Sequence, residues 1–359
     1  MKKVLFASTA MLLSGGMAMA DVTISGNGRF GLEYNEQDSF IAETDEGPAT
    51  IDPNETTISL RLRFNIDASK ETDSGVTFGG RIRMQYASGD SDYAGESGAG
   101  LSAAKLYASY GGMRLEAGNV DTAYDSAALM YNSEMGFKDS SAGDPQGSFY
   151  SFNSTPYGIG QTDRMGVAFT YSVDAFNVRL SWVNADQTRT ITDYYLTDED
   201  AKFFEAAAGF GYDDEYGISA DYTFDAFTIS GAAVMNGNGI SDNDQFFLGG
   251  EYAFADVGAV GLQYFDNGQT QEFTYDEDGF INGVTDYDVG SQFTLYGNYK
   301  FDQVIVRGYI SNLDNDDVED STVYGIGADY DLGGATLSGS VRSGYNGNYS
   351  ADVGVKFTF

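Results

Sequence analysis

Two arginine pairs, Arg61 with Arg63 and Arg81 with Arg83, are the most conspicuous chemical groups in the chain. Each pair is spaced by two residues inside a segment where apolar and polar residues alternate. On a β-strand that spacing puts both members on one face. In the first segment Ile58, Leu60, Leu62, Phe64, Ile66 and Ala68 share a face, opposite Ser59, Arg61, Arg63, Asn65 and Asp67. In the second, Phe78, Gly80, Ile82, Met84 and Tyr86 alternate with Gly79, Arg81, Arg83 and Gln85. Crowded like charges repel. Either acids such as Asp67 or Glu116 balance them, or the concentrated positive charge has a use of its own.

Other chemistry is narrowed by what is missing. The 359 residues include no histidine and no cysteine. Ser-His and Asp-His machinery is therefore absent, and a metal centre would lack its commonest ligand. Paired carboxylates remain capable of acid–base work, yet no pair rises above the general acidic background. No enzyme is expected. A formal charge of −35 argues against nucleic acid as a partner. Much of the acid lies in runs at 43–46, 198–200, 276–278 and 314–320. Such runs make a solvated rim, and they also concentrate cations, so modest cation selectivity is expected of any passage they surround. Within the last run, Asp314, Asp316, Asp317, Glu319 and Asp320 are oxygen donors of the kind Ca²⁺ takes, without EF-hand spacing.

The elements that position these groups follow from period and punctuation. Lys2 and Lys3, a largely apolar stretch over 4–13, and Ala18-Met19-Ala20 read as a signal peptide, residues 1–20. The mature domain is then residues 21–359. No later stretch has the roughly twenty apolar residues a spanning helix needs. Yet 25 Phe, 26 Tyr and 46 Gly are too many for an acidic disordered chain. Short turns are expected at 70–75, 111–112, 173–175, 225–226, 255–258, 302–303 and 332–334, alternating with eight longer polar connections. Seven hairpins plus a lone strand at each end make sixteen. Residues 203–212 compete as an extra strand; an odd count would break the parity, so they are assigned to the fourth long loop. The expected fold is a 16-stranded antiparallel transmembrane β-barrel, because only a closed sheet satisfies the backbone in hydrocarbon.

Charge placement agrees. Thirteen basic residues in the expected strands (Arg29, Arg61, Arg63, Arg81, Arg83, Lys105, Arg114, Arg164, Arg179, Lys300, Arg307, Arg342 and Lys356) all take the polar parity. Tyr110, Phe176, Phe224, Phe227, Phe254, Phe301 and Tyr330 cluster beside the short turns, as an interfacial girdle would. The chain closes with Val353, Val355, Phe357 and Phe359 on one face.

That last amphipathic strand ending in Phe resembles the assembly signal of outer-membrane barrels. The start, Asp21-Val22-Thr23-Ile24-Ser25-Gly26 with Gly28-Arg29-Phe30-Gly31, is similar to the alphaproteobacterial branch of trimeric general-diffusion porins. The resemblance implies a homotrimer in the outer membrane, in contact with lipid and lipopolysaccharide. It also implies recognition by the barrel-assembly machinery through the strand ending at Phe359, and passage of small hydrophilic solutes. The third long loop, about 121–163, is implied to fold inward and narrow the lumen, with Asp121, Asp125, Glu134, Asp139 and Asp144 as its acids. Enterobacterial relatives carry Pro-Glu-Phe-Gly-Gly in this loop; here Ser133-Glu134-Met135-Gly136-Phe137 stands instead. A short helix is expected over 121–132. Opposite, a basic wall of Arg29, Arg61, Arg63, Arg81, Arg83 and Arg114 is implied, setting up a transverse field. A substrate-specific channel such as a sugar porin is the runner-up. It would need an aromatic run along the lumen, whereas the inward aromatics Tyr107, Phe247, Phe265, Tyr296 and Tyr309 are scattered.

Overall fold

Strict alternation leaves each strand one apolar and one polar face, and a single sheet can satisfy both only by closing on itself. A computed structural model of the chain describes residues 21–359 apart from 38, 45–46, 89–98, 155–163, 186, 188–212, 255–256 and 276–280. Sixteen antiparallel strands form the wall: β1 Asp21–Asn35, β2 Thr56–Glu71, β3 Thr77–Ala87, β4 Lys105–Tyr110, β5 Met113–Gly118, β6 Met165–Val173, β7 Phe176–Asn184, β8 Glu215–Phe224, β9 Phe227–Met235, β10 Gln245–Phe254, β11 Gly258–Asp266, β12 Ser291–Phe301, β13 Val304–Asp314, β14 Thr322–Asp331, β15 Ala335–Ser343 and β16 Tyr349–Thr358. The two-residue segment Gly100–Leu101 pairs with β3 just ahead of β4. Short hairpins at Phe40–Thr44 with Gly47–Ile51, and at Gln269–Tyr275 with Ile281–Asp288, decorate the first and sixth long connections.

Closure is explicit in the register. β1 pairs with β2 from Asp21 opposite Ser69 to Tyr34 opposite Thr56, and with β16 from Asn27 opposite Thr358 to Asn35 opposite Ser350. No strand is left with an open edge at this seam, which removes the unpaired backbone groups that hydrocarbon cannot hydrate. Residues 203–212, the expected leader 1–20 and the acidic runs 198–200 and 276–278 lie outside the described residues.

Six of the seven expected short turns lie wholly within the described residues and are present, and Phe254 pairs with Gly258 across the seventh. Their backbones need the left-handed region: Gly111 and Gly112 have φ of 57° and 82°, and Asp174, Asp225 and Asp302 have φ of 49°, 53° and 54°. Glycine tolerates that conformation freely, and aspartate better than most side chains. Beside these turns the outward rings touch in a continuous band, Tyr222–Phe224–Phe227–Tyr252–Phe254, with centroids 4.7–5.9 Å apart. Along mid-strand the outer face is apolar and open, as at Leu106, Ile218, Leu262, Leu295 and Ile326. This is the reverse of a soluble protein, where such residues would be covered.

A charge on that outer face has only lipid to meet. Leu295→Arg is expected to destabilise the barrel in vesicles by about 2–4 kcal/mol, measured by urea titration. Asn298→Arg, three residues along and lining an inward recess with Arg307 and Lys356, should instead act on the lumen, and equal losses at both positions would contradict the assignment of faces.

Candidate pore constriction

The third long connection makes its contacts with the polar-parity side chains of the wall. Its described part, 119–154, leaves β5 and is pinned at once. Lys105 Nζ reaches Asp121 at 2.6 Å, Arg179 Nη2 donates to the Asp121 carbonyl at 2.7 Å, and the Ala123 N–H donates to Ser181 Oγ at 2.8 Å. Two apolar patches then seat it. Tyr124, Leu129 and Met130 pack with Ala232, Val234, Phe247 and Phe265, and Met135 packs with Tyr296, Tyr309 and Leu313. Over 121–132 the chain makes successive turns, not the expected short helix. Leu129, at φ 68°, breaks any helical run, and the Ala127 N–H turns back to the Tyr124 carbonyl three residues away.

The loop tip crosses to β15, β16 and β1. Phe137, fully buried, lies over Gly31 and Gly354, where a side-chain carbon would collide with its ring. Gly136 has φ 74°, and a Cβ there would sit 2.3 Å from Asp352 Oδ1, so only glycine fits. Asp352 is the anchor. It accepts from the Phe137 N–H at 2.8 Å and from Ser340 Oγ at 2.6 Å, and it pairs with Arg342 at 3.1 Å. The chain returns past Gln292, Thr294 and Asn267, and Tyr150 donates its N–H to Glu215.

The expected basic residues separate into distinct environments. Arg29 and Arg61 face each other across β1 and β2, and Arg29 is also opposite Lys356. Arg29 bonds the Lys138 carbonyl and approaches Asp139 at 3.6 Å. Arg81 makes a two-pronged pair with Asp67 at 2.8 and 3.2 Å, the wall-stiffening alternative for such an arginine. Arg114 belongs elsewhere: it binds Glu116 at 2.9 Å and stacks on Tyr107 at 3.6 Å, in a network with Lys105 and Arg179. Arg61, Arg63 and Arg83 bind neutral oxygens of Asn27, Gln85, Asn65 and Ser154, with no salt bridge among the described residues.

The loop acids divide as well. Asp139 joins the basic side outright, 2.7 Å from Lys356, while Asp121 holds the loop root. Asp125 accepts from Tyr131 Oη at 2.9 Å and Asp144 from Ser133 Oγ at 2.9 Å. Burial raises the proton affinity of these loop carboxyls. Asp125 is pushed up to about 6 and Asp144 to about 7. Glu134 reaches about 8, with the charges of Asp144 and Asp139 adding to its burial. Glu134 lines a lumenal recess with Tyr131, Asn132, Asp139, Glu251, Arg307 and Lys356. Because Glu134 holds its proton above the ordinary 4.5, its contribution to stability falls as pH rises from about 4.5 to 8.

The expected inward aromatics Phe247, Phe265, Tyr296 and Tyr309 are the floor beneath the loop, buried to 5 % exposure or less. They are not a surface for sugar rings. The acids Asp314, Asp316, Asp317, Glu319 and Asp320 do not gather: among the described residues no set of three or more acids is placed to hold a metal ion. The loop's turn is held instead by Asn315, whose Oδ1 accepts from the Asp317 N–H at 2.7 Å and whose amide reaches back to Val289. Sequence reasoning missed Lys138, paired with Glu33 at 2.9 Å, and the role of Asp352. Inward parity marked Asp352, but nothing local tied it to a loop more than 200 positions away.

A closed sixteen-stranded barrel with an apolar outer belt and a charged lumen defines a transmembrane channel of the outer membrane. The Gram-negative porin family matches residues 7–353, and the chain belongs to it. The porin of Fuscovulum blasticum is 41% identical over 94% of this chain and all of its own length. That of Rhodobacter capsulatus is 28% identical with the same coverage. Solved variants of the Rh. blastica porin superpose with a TM-score of 0.75 at 40% identity, covering 94% of this chain and 100% of theirs. The protein is thus an outer-membrane general porin.

Removing the anchor at the loop tip tests this geometry. Asp352→Ala leaves Arg342 buried without its acid, an expected cost of about 3–5 kcal/mol in detergent unfolding. Proteolytic cleavage between 134 and 142 should become faster. A variant with wild-type stability and protection would show that the tip is held by something else.

Proposed function

We propose that the narrowest part of this porin lies between residues 119–154 and the wall of β1–β3, where a transverse field acts on solutes. The observation that supports this most directly is the separation of charge. Arg61, Arg63 and Arg83 lack an acid partner among the described residues, while Glu134 and Glu251 lie in a recess across the loop whose cations, Arg307 and Lys356, are paired with Asp329 and Asp139. Polar solutes can orient in such a field, whereas an apolar solute would have to displace ordered water without replacing its hydrogen bonds.

Net selectivity is mildly cationic in this reading, because the acidic excess of the whole chain raises cation concentration at the mouths. The functional unit is a homotrimer, since the porin relatives point to an oligomer of that type. Lipopolysaccharide surrounds the outer leaflet, and the barrel-assembly machinery reads the strand ending at Phe359. The leader is removed after Ala20. Acid–base catalysis has no part in this reading.

Planar bilayers with asymmetric KCl provide the test. The reversal potential should favour potassium, and the preference should grow as pH rises through the range near 8 where Glu134 loses its proton. Glu134→Gln should flatten that pH dependence while leaving a conducting channel. A reversal potential favouring chloride in the wild type would overturn the cation preference. Liposome swelling should show a size cut-off with no saturation by sugars; saturation would restore the substrate-specific alternative.

A further inference from the structure

Arg61, Arg63 and Arg83 form a contiguous patch on the lumenal wall. Arg61 and Arg63 are two apart on one face of β2. Arg63 is opposite Gln85, two residues from Arg83 on β3, so the two arginines are diagonal neighbours. Diagonal partners of this kind stand about 7–8 Å apart, within reach of long side chains. The three are near enough to repel one another electrostatically.

Their hydrogen bonding is incomplete. A guanidinium has five N–H donors. Arg61 gives one to Asn27 Oδ1 at 3.2 Å, and Arg63 gives its Nε–H to Gln85 Oε1 at 2.6 Å. Arg83 reaches Asn65 Oδ1 at 2.9 Å and Ser154 Oγ at 2.8 Å, and its plane lies over the Phe152 ring at 4.3 Å. The Arg61 Nε is buried with no hydrogen-bond partner among the described residues. The neighbouring described acids are engaged elsewhere, Asp67 by Arg81 and Asp139 by Arg29 and Lys356. Asp139 and Glu134 attract Arg61 only from a distance.

Neutral side-chain oxygens hold these guanidiniums in place without neutralising them. Neighbouring forks held in this way can offer charge-assisted donors to one ligand. We infer that Arg61, Arg63 and Arg83 form a binding subsite for a small doubly charged oxyanion, of the phosphate or sulfate type. The inference rests on the lumenal placement argued above and adds a specific ligand class to a pore that otherwise discriminates by size and field. It gives a cation-preferring channel a local station for polyvalent anions. A bound dianion would also neutralise the patch and push the remaining selectivity further toward cations.

The subsite predicts saturation where a simple field does not. Unitary conductance of the wild-type porin in KCl is to be recorded while inorganic phosphate, and separately sodium sulfate, is added at constant ionic strength. A saturating fall in conductance is expected with both anions, together with a reversal potential moved toward potassium. Sulfate separates recognition of the dianion from protonation of phosphate. The double variant Arg61→Gln with Arg63→Gln should weaken the half-saturating concentration at least about tenfold. The paired double variant Asp67→Asn with Arg81→Gln, which removes one charge of each sign, should leave it unchanged. Heat-sensitive gel mobility confirms folding of each variant, and the single Arg63→Lys serves if the double variant does not fold, since losing the planar fork should also weaken binding. Conductance that follows ionic strength alone, or saturation equal in wild type and arginine variants, would overturn the subsite. Loss of the pH-dependent cation preference with saturation retained would overturn the field reading and leave the subsite standing.

Discussion

Hydrocarbon offers no hydrogen bonds, and that single constraint organises the protein. Every backbone N–H and C=O within the membrane must find its partner in the chain. For strands this requires the first to meet the last, as β1 does with β16. Closure in turn fixes the alternation of side chains. Each strand residue faces either lipid or lumen, and a shift of one position would move the strand arginines into the bilayer. The outward Leu, Ile and Phe and the inward Arg, Asp and Gln are two readings of the same pleat.

A lumen lined by charged and polar groups would be wide and featureless without something to occupy it. The third connection packs its apolar side chains against Phe247, Phe265, Tyr296 and Tyr309. These aromatics interrupt the polar lining only where the loop covers them. The loop is therefore fixed by two small hydrophobic clusters against the polar-parity face of the wall. Its polar anchors are the buried side chains Glu215, Gln263, Gln292 and Asp352. Such buried groups hold position well because leaving any one of them unpaired is costly.

Charge is distributed by the same logic. Cations with acid partners, such as Arg81, Arg307 and Arg342, brace the wall. Cations held by amides and hydroxyls keep their field. The difference lies in whether Asp or Asn occupies the cross-strand position, as with Asp67 opposite Arg81 and Asn65 opposite Arg83. One side-chain atom separates a structural arginine from one available to a solute.

The strands, their turns, the lipid-facing parity and the sixteen-strand count were readable from the amino-acid sequence. All of them follow from local rules: period two, glycine and aspartate at turns, and exclusion of charge from hydrocarbon. Alternation set Arg61, Arg63 and Arg83 on the parity opposite the exposed Leu60, Leu62 and Tyr86. What the sequence left undecided were the partners. That Asp139 joins Arg29 and Lys356, that Arg114 belongs to the Glu116 network, that 121–132 turns without forming a helix, and that Asp352 seats Gly136 and Phe137 were all decided by the folded barrel. The loop contacts among these join residues more than 100 positions apart in the chain, and their register depends on how sixteen strands stagger around a cylinder. No local pattern of side chains encodes that stagger, because it is a property of closure.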